Sequence, residues 1–302
     1  MDQALMLRKI KSREQDEHRL TTVVHPKARI STERQVRVIA ITSGKGGVGK
    51  TNITANLAYF LSTMKKRVLI LDADMGLANI DLILGLTPQY NLYHVLKGDR
   101  SLSETIIQGP GGIMILPSSS GILEMAELSK GQKLTLLDEL NDLQDELDFL
   151  LIDTAAGIAG NVMFFNSAAK EIIVVASPEP TSLTDAYALI KVLYQYHAKK
   201  RFRLLVNMVS TPAEAKEVYE RLSNATDHFL NLTIEYLGYI LNDEKLTQAV
   251  RQQKVLAELY PHSPASKCLS KVAEKLCMEQ PENDGTGSIE FFWESLVDGK
   301  NG

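Results

Sequence analysis

Residues 43–51 read SGKGGVGKT, and Gly44 through Thr51 fit the phosphate-gripping pattern G-x-x-x-x-G-K-[ST]. In such a loop the glycines at 44, 46, 47 and 49 let backbone N–H groups turn inward around phosphate oxygens, and the start of the following helix adds partial positive charge. Gly44, Lys45, Gly46, Gly47, Val48, Gly49, Lys50, Thr51 and Asn52 are therefore the candidate nucleotide-binding residues. Lys50 is expected on the β- and γ-phosphates, and the Thr51 hydroxyl on Mg²⁺.

Carboxylates with matching chemistry lie elsewhere in the chain. Asp153 ends the apolar run FLLID, where an aspartate can hold the Mg²⁺ shell. Asp72 and Asp74 end the run RVLILDAD, and alternate residues of an extended chain face the same side. Two like charges there repel unless a cation sits beside them. Asp72 is assigned to the Mg²⁺ water shell, and Asp74, further out, to orienting the attacking water. No N-K-x-D guanine signature occurs, whereas Asn207 at the end of LLVNM can pair with an adenine edge through one donor and one acceptor. ATP is favoured over GTP.

Lys45 is a second lysine where the loop needs one. It is either solvated on the outer lip, or it reaches phosphate bound to a second subunit, as an arginine finger does in trans.

Positioning these groups requires strands that end at them. From Val36 onward, short β-branched runs alternate with helical stretches: RVIAIT, RVLILDAD, IMILP, FLLIDT, EIIVVAS, RLLVNMV and YLGYIL, separated by segments such as 134–147, 183–197 and 213–230. Near-continuous apolar strands separated by helices predict an α/β, doubly wound, mostly parallel sheet with helices on both faces. Ligands of such a fold sit at the carboxyl ends of the strands, which is where every residue named above falls. The expected organisation is a polar extension over residues 1–35, a nucleotide-binding domain over 36–280, and a linker with an amphipathic helix over 281–302.

Bulk properties narrow the function classes. A net charge of −4 argues against a general polyanion binder, so no direct nucleic-acid binding is expected. Two cysteines, Cys268 and Cys277, lack metal-site spacing and suit a reducing cytosol. No apolar run reaches the ~18 residues of a membrane span, and the first residues carry no signal-peptide core. A cytoplasmic protein with at most peripheral membrane contact is expected.

KGGVGKT, together with DADMGLANID at 72–81 and LLIDTAAG at 150–157, resembles the deviant Walker-A ATPases of the MinD/ParA family over roughly residues 36–280. The resemblance implies a P-loop fold, ATP/ADP and Mg²⁺ as ligands, and an ATP-dependent homodimer. It also implies Lys45 as the signature lysine crossing the dimer interface, Asp74 as the switch I aspartate and Asp153 as the one opening switch II. One departure is Ala155, where many members have Pro. Asp2, Gln3, Ala4, Leu7 and Arg8 resemble a segment at the start of the flagellar-number branch, FlhG/FleN, as does DTAAGI at 153–158. For that branch the implied partners are an SRP-type flagellar GTPase, C-ring components or a flagellar master transcription activator. The implied location is the inner face of the cell membrane at the pole, reversibly. Division-site MinD-type and DNA-partition ParA-type ATPases are the alternatives.

Ile289, Phe292, Trp293, Leu296 and Val297 recur at helical spacing and give one apolar face. In position they match the family's membrane-targeting helix. Interfacial helices usually carry Lys or Arg on the polar face, whereas this one carries Glu290, Glu294 and Asp298. Membrane contact and packing against the chain's own domain both remain open for it.

Overall fold

A computed structural model describes residues 36–75, 79–119 and 128–279. The expectations for residues 1–35 and 281–302, including both terminal segments, lie outside the described residues. All described residues belong to one compact unit, Arg34–Gly302.

Eight strands form one sheet: β1 (Arg37–Ser43), β2 (Val68–Ala73), β3 (Ile107–Gln108), β4 (Met114–Leu116), β5 (Phe149–Ala156), β6 (Glu171–Ala176), β7 (Arg203–Val209) and β8 (Glu235–Leu241). Their order is β3-β4-β2-β5-β1-β6-β7-β8. All neighbours pair in parallel except the short β3, which runs antiparallel to β4. The expected doubly wound α/β architecture is what forms.

The strands are continuously apolar because both faces are covered. Ile39 and Ile41 of β1 and Phe149 and Leu151 of β5 face one layer, packed with helices α1 (Lys50–Thr63) and α11 (Pro264–Met278). Val38, Ala40, Leu150 and Ile152 face the other, packed with α5 (Lys130–Asn141) and α6 (Gly160–Ala168). On that second face β6 and β7 meet α7 (Pro180–His197) and α8 (Pro212–Leu230). The small helices α2 (Ile80–Leu84), α3 (Leu92–Leu96) and α4 (Leu102–Thr105) fill the connection from β2 to β3, and α9 (Glu244–Arg251) and α10 (Leu256–Leu259) lead from β8 to α11.

Helix ends follow local chemistry. α8 starts where Thr211 accepts from the Glu214 amide with Pro212 in the first turn, and stops at Asn231 in the left-handed region. The helical segment expected over 134–147 starts earlier and stops sooner. Ser129 and Gln132 form a capping box that opens α5 at Lys130, and the chain after Asn141 tightens into a 3₁₀ turn at Gln144–Glu146.

At the amino ends of the strands, the guanidinium of Arg37 makes two hydrogen bonds with Glu171, at 2.7 and 2.6 Å, and also reaches the Leu276 carbonyl at the end of α11. Arg203 pairs with Glu279 at 2.8 Å and with Glu235 at 3.0 Å. These contacts tie β1, β6, β7 and β8 to the last turn of α11.

Candidate nucleotide and magnesium site

β1 delivers the chain to the middle of the sheet, and residues 44–49 turn there before α1 begins at Lys50. Close packing dictates two of the glycines. A Cβ on Gly44 would lie 2.1 Å from the Asp185 carbonyl oxygen of α7. One on Gly49, whose φ is +92°, would lie 2.6 Å from Asn207 Nδ2. Inside the turn Ser43 is the hub: its hydroxyl donates to the Lys45 carbonyl at 2.7 Å and accepts from Lys50 Nζ at 2.8 Å. Lys50 is buried, and burial lowers its pKa while the charges of Asp153 and Asp74 oppose that shift. Its ammonium group is held at the start of the loop by the Ser43 hydroxyl.

Asp153 sits on β5 in register with Asp72 on β2, so two carboxylates stand on strands about 4.8 Å apart. Both are buried. Burial pushes Asp153 up to about 6, against the opposing hydrogen bond from Thr51, the charge of Lys50 and the hydroxyl of Thr54. Burial, then the neighbouring Asp153, pushes Asp72 up to about 8. A pair of desolvated carboxylates beside a hydroxyl is an oxygen donor set that gains from a hard divalent cation. The residues fit Mg²⁺: Thr51 and Asp153 as the inner group, with Asp72 alongside. Among the described residues no set of three or more His, Cys, Asp or Glu forms a cage of its own.

Asp72 does more than the sequence suggests. One oxygen accepts from the Asp74 amide at 3.1 Å and the other from Asn79 and Ile80 at 3.1 and 3.3 Å. It thereby pins both ends of the loop that carries Asp74 and opens α2. Asp74 itself is half-buried and near enough to act on Lys50.

Two expectations change in detail. Lys45 is not simply solvated: its ammonium group donates to the Glu179 carboxylate and to the Thr181 hydroxyl, at 3.0 Å for the latter. Glu179 is the residue before α7, so the second lysine rests on its own chain's helix end. Asn207 is buried and donates its amide to the Val48 carbonyl at 2.7 Å. It braces the loop from β7, leaving its carbonyl oxygen and second amide hydrogen for another partner. Gly46, Gly47 and Asn52 lie in the loop and the first helical turn, as expected.

Ala155 gains a physical reading. β5 continues past Asp153 through Ala156, which pairs with Ser43, and the Gly157 amide donates to the Ser43 carbonyl at 2.9 Å. Ala155 lies inside this continuation of the strand. Here the segment after Asp153 is laid directly along the start of the phosphate loop.

Sequence reasoning missed Ser43, Thr54, Glu179 and Thr181. Thr54 donates to Asp153 at 3.2 Å, and its signal was present: Thr51 and Thr54 are i, i+3 on one helix face. Nothing in the sequence links Glu179 to Lys45 across 134 positions.

The AAA domain family model matches residues 36–206. The chain is similar to the antiactivator FleN of Pseudomonas aeruginosa, 45% identical over 262 residues covering 87% of this chain and 94% of the relative. It is also similar to the flagellum site-determining protein YlxH of Helicobacter pylori, 36% identical with 92% of each chain covered. Among solved structures it resembles the septum site-determining protein MinD of Pyrococcus horikoshii complexed with Mg-ADP. That match has a TM-score of 0.66 and 28% identity, covering 80% of this chain and 96% of that one. The matched domain, the phosphate loop and the placement of Asp74 and Asp153 agree on one assignment: the chain belongs to the deviant Walker-A, MinD/ParA-type P-loop ATPases, in their FlhG/FleN branch.

Proposed function

We propose that this ATPase regulates flagellar number and placement through a nucleotide-dependent change of partner. ATP binding joins two copies, slow hydrolysis returns the monomer, and the partners are an SRP-type flagellar GTPase, C-ring components or a flagellar master transcription activator. Support comes from the flagellar names of the FleN and YlxH relatives. The observation that carries the dimer is Lys45, a cation on the rim of the phosphate loop held by an exposed side-chain pair. Such pairs are worth only about 0–1 kcal/mol, so exchanging Glu179 for the phosphate of a second copy costs little.

Within each copy Lys50 and the loop amides bind the phosphates, and Ser43 keeps the Lys50 ammonium aimed. Thr51 and Asp153 would hold Mg²⁺, with Asp72 on the side of its water shell, and the ion would supply neutralising charge for the phosphate oxygens. Asp74 orients the attacking water, and Asn207 offers its remaining amide groups to the base. Lys45 of one copy stabilises the charge that develops at the other.

The segment containing Ile289, Phe292, Trp293 and Leu296 gives the ATP-bound form peripheral contact with the inner face of the cell membrane, and Asp2–Arg8 contacts a protein partner. Among the described residues no helix is long and apolar enough to cross a membrane. Sedimentation velocity of Asp74→Ala with Mg-ATP tests the dimer: the expected result is a stable dimer, and a monomer throughout contradicts it. Deleting residues 286–302 should reduce ATP-dependent vesicle pelleting; undiminished pelleting removes the membrane contact.

A further inference from the structure

The end of the sheet remote from the phosphate loop carries its own surface chemistry. In a parallel sheet the loops that precede the strands all emerge at the amino end. Lys65, Lys66 and Arg67 precede β2, Lys170 precedes β6, and Lys199, Lys200 and Arg201 precede β7. These three loops hold seven cations and no carboxylate, although the whole chain carries a net −4. Arg67 is matched by Asp148 at 3.3 Å; the exposed carboxylates at this end are Asp142, Asp145 and Glu146 before β5, Asp227 in the last turn of α8, and Glu235, which Arg203 and Lys275 pair. Lys65, Lys200 and Arg201 are exposed and Lys66 half-exposed.

Two further observations fall on the same pole. The most exposed large apolar side chains among the described residues are Met278, at 80%, and Tyr196, at 78%. Met278 ends α11 beside the Arg203–Glu279 pair, and Tyr196 lies in the last turn of α7, just before the Lys199–Arg201 loop. The chain also enters and leaves here, into β1 at Arg37 and out of α11 at Glu279, the two residues being joined by the Arg37 hydrogen bond to the Glu279 carbonyl at 3.2 Å. The apolar positions from Ile289 onward begin after nine intervening residues, which span at most about 30 Å.

We propose that this pole is a headgroup-binding surface for anionic lipid. It rests on the reading that the 289–297 segment contacts a bilayer, and it resolves that segment's difficulty. Glu290, Glu294 and Asp298 deny the segment the cationic face that interfacial helices use; the folded domain supplies the cations instead. β2 and β7 are four strand spacings apart, roughly 19 Å, so their two basic loops meet a membrane as separated contacts on either side of the chain exit. Juxtamembrane Lys and Arg are drawn to anionic leaflets, and aromatic side chains settle at the interface. A nucleic acid would use the cations but gain little from the exposed Met278.

The test sediments the full chain, with Mg²⁺ and a non-hydrolysable ATP analogue, against vesicles of phosphatidylcholine alone or mixed with phosphatidylglycerol. Wild type is expected to bind the anionic vesicles about tenfold more tightly or better, with the advantage fading in high salt. Lys66→Glu/Lys200→Glu should lose that advantage while keeping its binding to neutral vesicles, its ATPase rate and its melting temperature. Tyr196→Ala should weaken binding to both vesicle types. Equal binding of wild type to both vesicles, or an undiminished preference in the double variant, overturns the proposal and leaves the terminal-segment reading standing. Loss of all binding on deleting 286–302, with the preference already absent in wild type, assigns the membrane contact to the segment alone. If the deletion leaves anionic binding intact and the double variant abolishes it, the segment reading fails and the pole stands. Duplex DNA binding that the double variant removes, without any vesicle preference, would make the surface a nucleic-acid site instead.

Discussion

At the amino ends of the strands, the buried Arg37 and Arg203, with Lys275, face Glu171, Glu235 and Glu279, so the charge of this cluster is balanced within the fold. At the carboxyl ends, Asp72 and Asp153 are buried side by side, and the Lys50 charge acts on Asp153 but not on Asp72. The same sheet thus carries a compensated buried cluster at one end and an uncompensated one at the other. A compensated cluster fastens elements together; an uncompensated one stores a cost that only a ligand relieves. The nucleotide end is legible as a site because it is electrostatically unfinished.

The contrast can be broken or sharpened by mutation. The largest effect is expected at Lys45, whose replacement by Ala should cut ATP turnover by about 10³-fold while mononucleotide affinity stays close to wild type, as steady-state kinetics and calorimetric titration will show. Asp153→Asn should lower turnover by about 10²-fold or more through loss of the metal ligand. Because it also removes one of two like charges, it should raise the melting temperature of the nucleotide-free protein. A drop in that temperature would mean the carboxylate pair is not a stored cost.

At the other pole the signs reverse. Arg203→Met takes the 2.8 Å partner from Glu279 and leaves Glu171 to Arg37 alone, and should destabilise the fold by about 2–4 kcal/mol in denaturant titration, with nucleotide affinity unchanged.

The smallest effect is in pH. Folding raises Asp153 from the ordinary 3.8 to about 6 and Asp72 to about 8. Between the ordinary and the raised values the unfolded chain has lost protons that the folded chain keeps, so stability falls as pH rises. Without nucleotide and Mg²⁺ the melting temperature should decline from about pH 4 to about pH 8, and Asp72→Asn should flatten that slope. A flat wild-type profile would contradict the burial of these groups as charges in waiting.

What the sequence made legible follows the same division. The phosphate loop, its two following carboxylate strands and the parallel sheet were readable because each is a local pattern: glycine spacing, apolar runs ending in Asp, and alternation of strands with helices. The Lys45–Glu179 contact was not, since it depends on α7 arriving beside the loop from far along the chain. Nor was the role of Asp72 as an acceptor for the amides of Asp74, Asn79 and Ile80, because backbone donors leave no mark in side-chain composition. The Arg37–Glu171–Arg203–Glu279 cluster was equally silent. Its members look like ordinary surface charges until topology brings four elements to one edge.

The measurement that bears most directly on the shared-site account is complementation between two inactive chains. Lys45→Ala protein keeps Asp74 and its own phosphate loop; Asp74→Ala protein keeps a lysine to lend. Mixed with Mg-ATP, they should recover ATPase activity that neither shows alone, because one site of each mixed dimer is whole. A mixture no more active than its parts would mean that Lys45 serves the chain it belongs to.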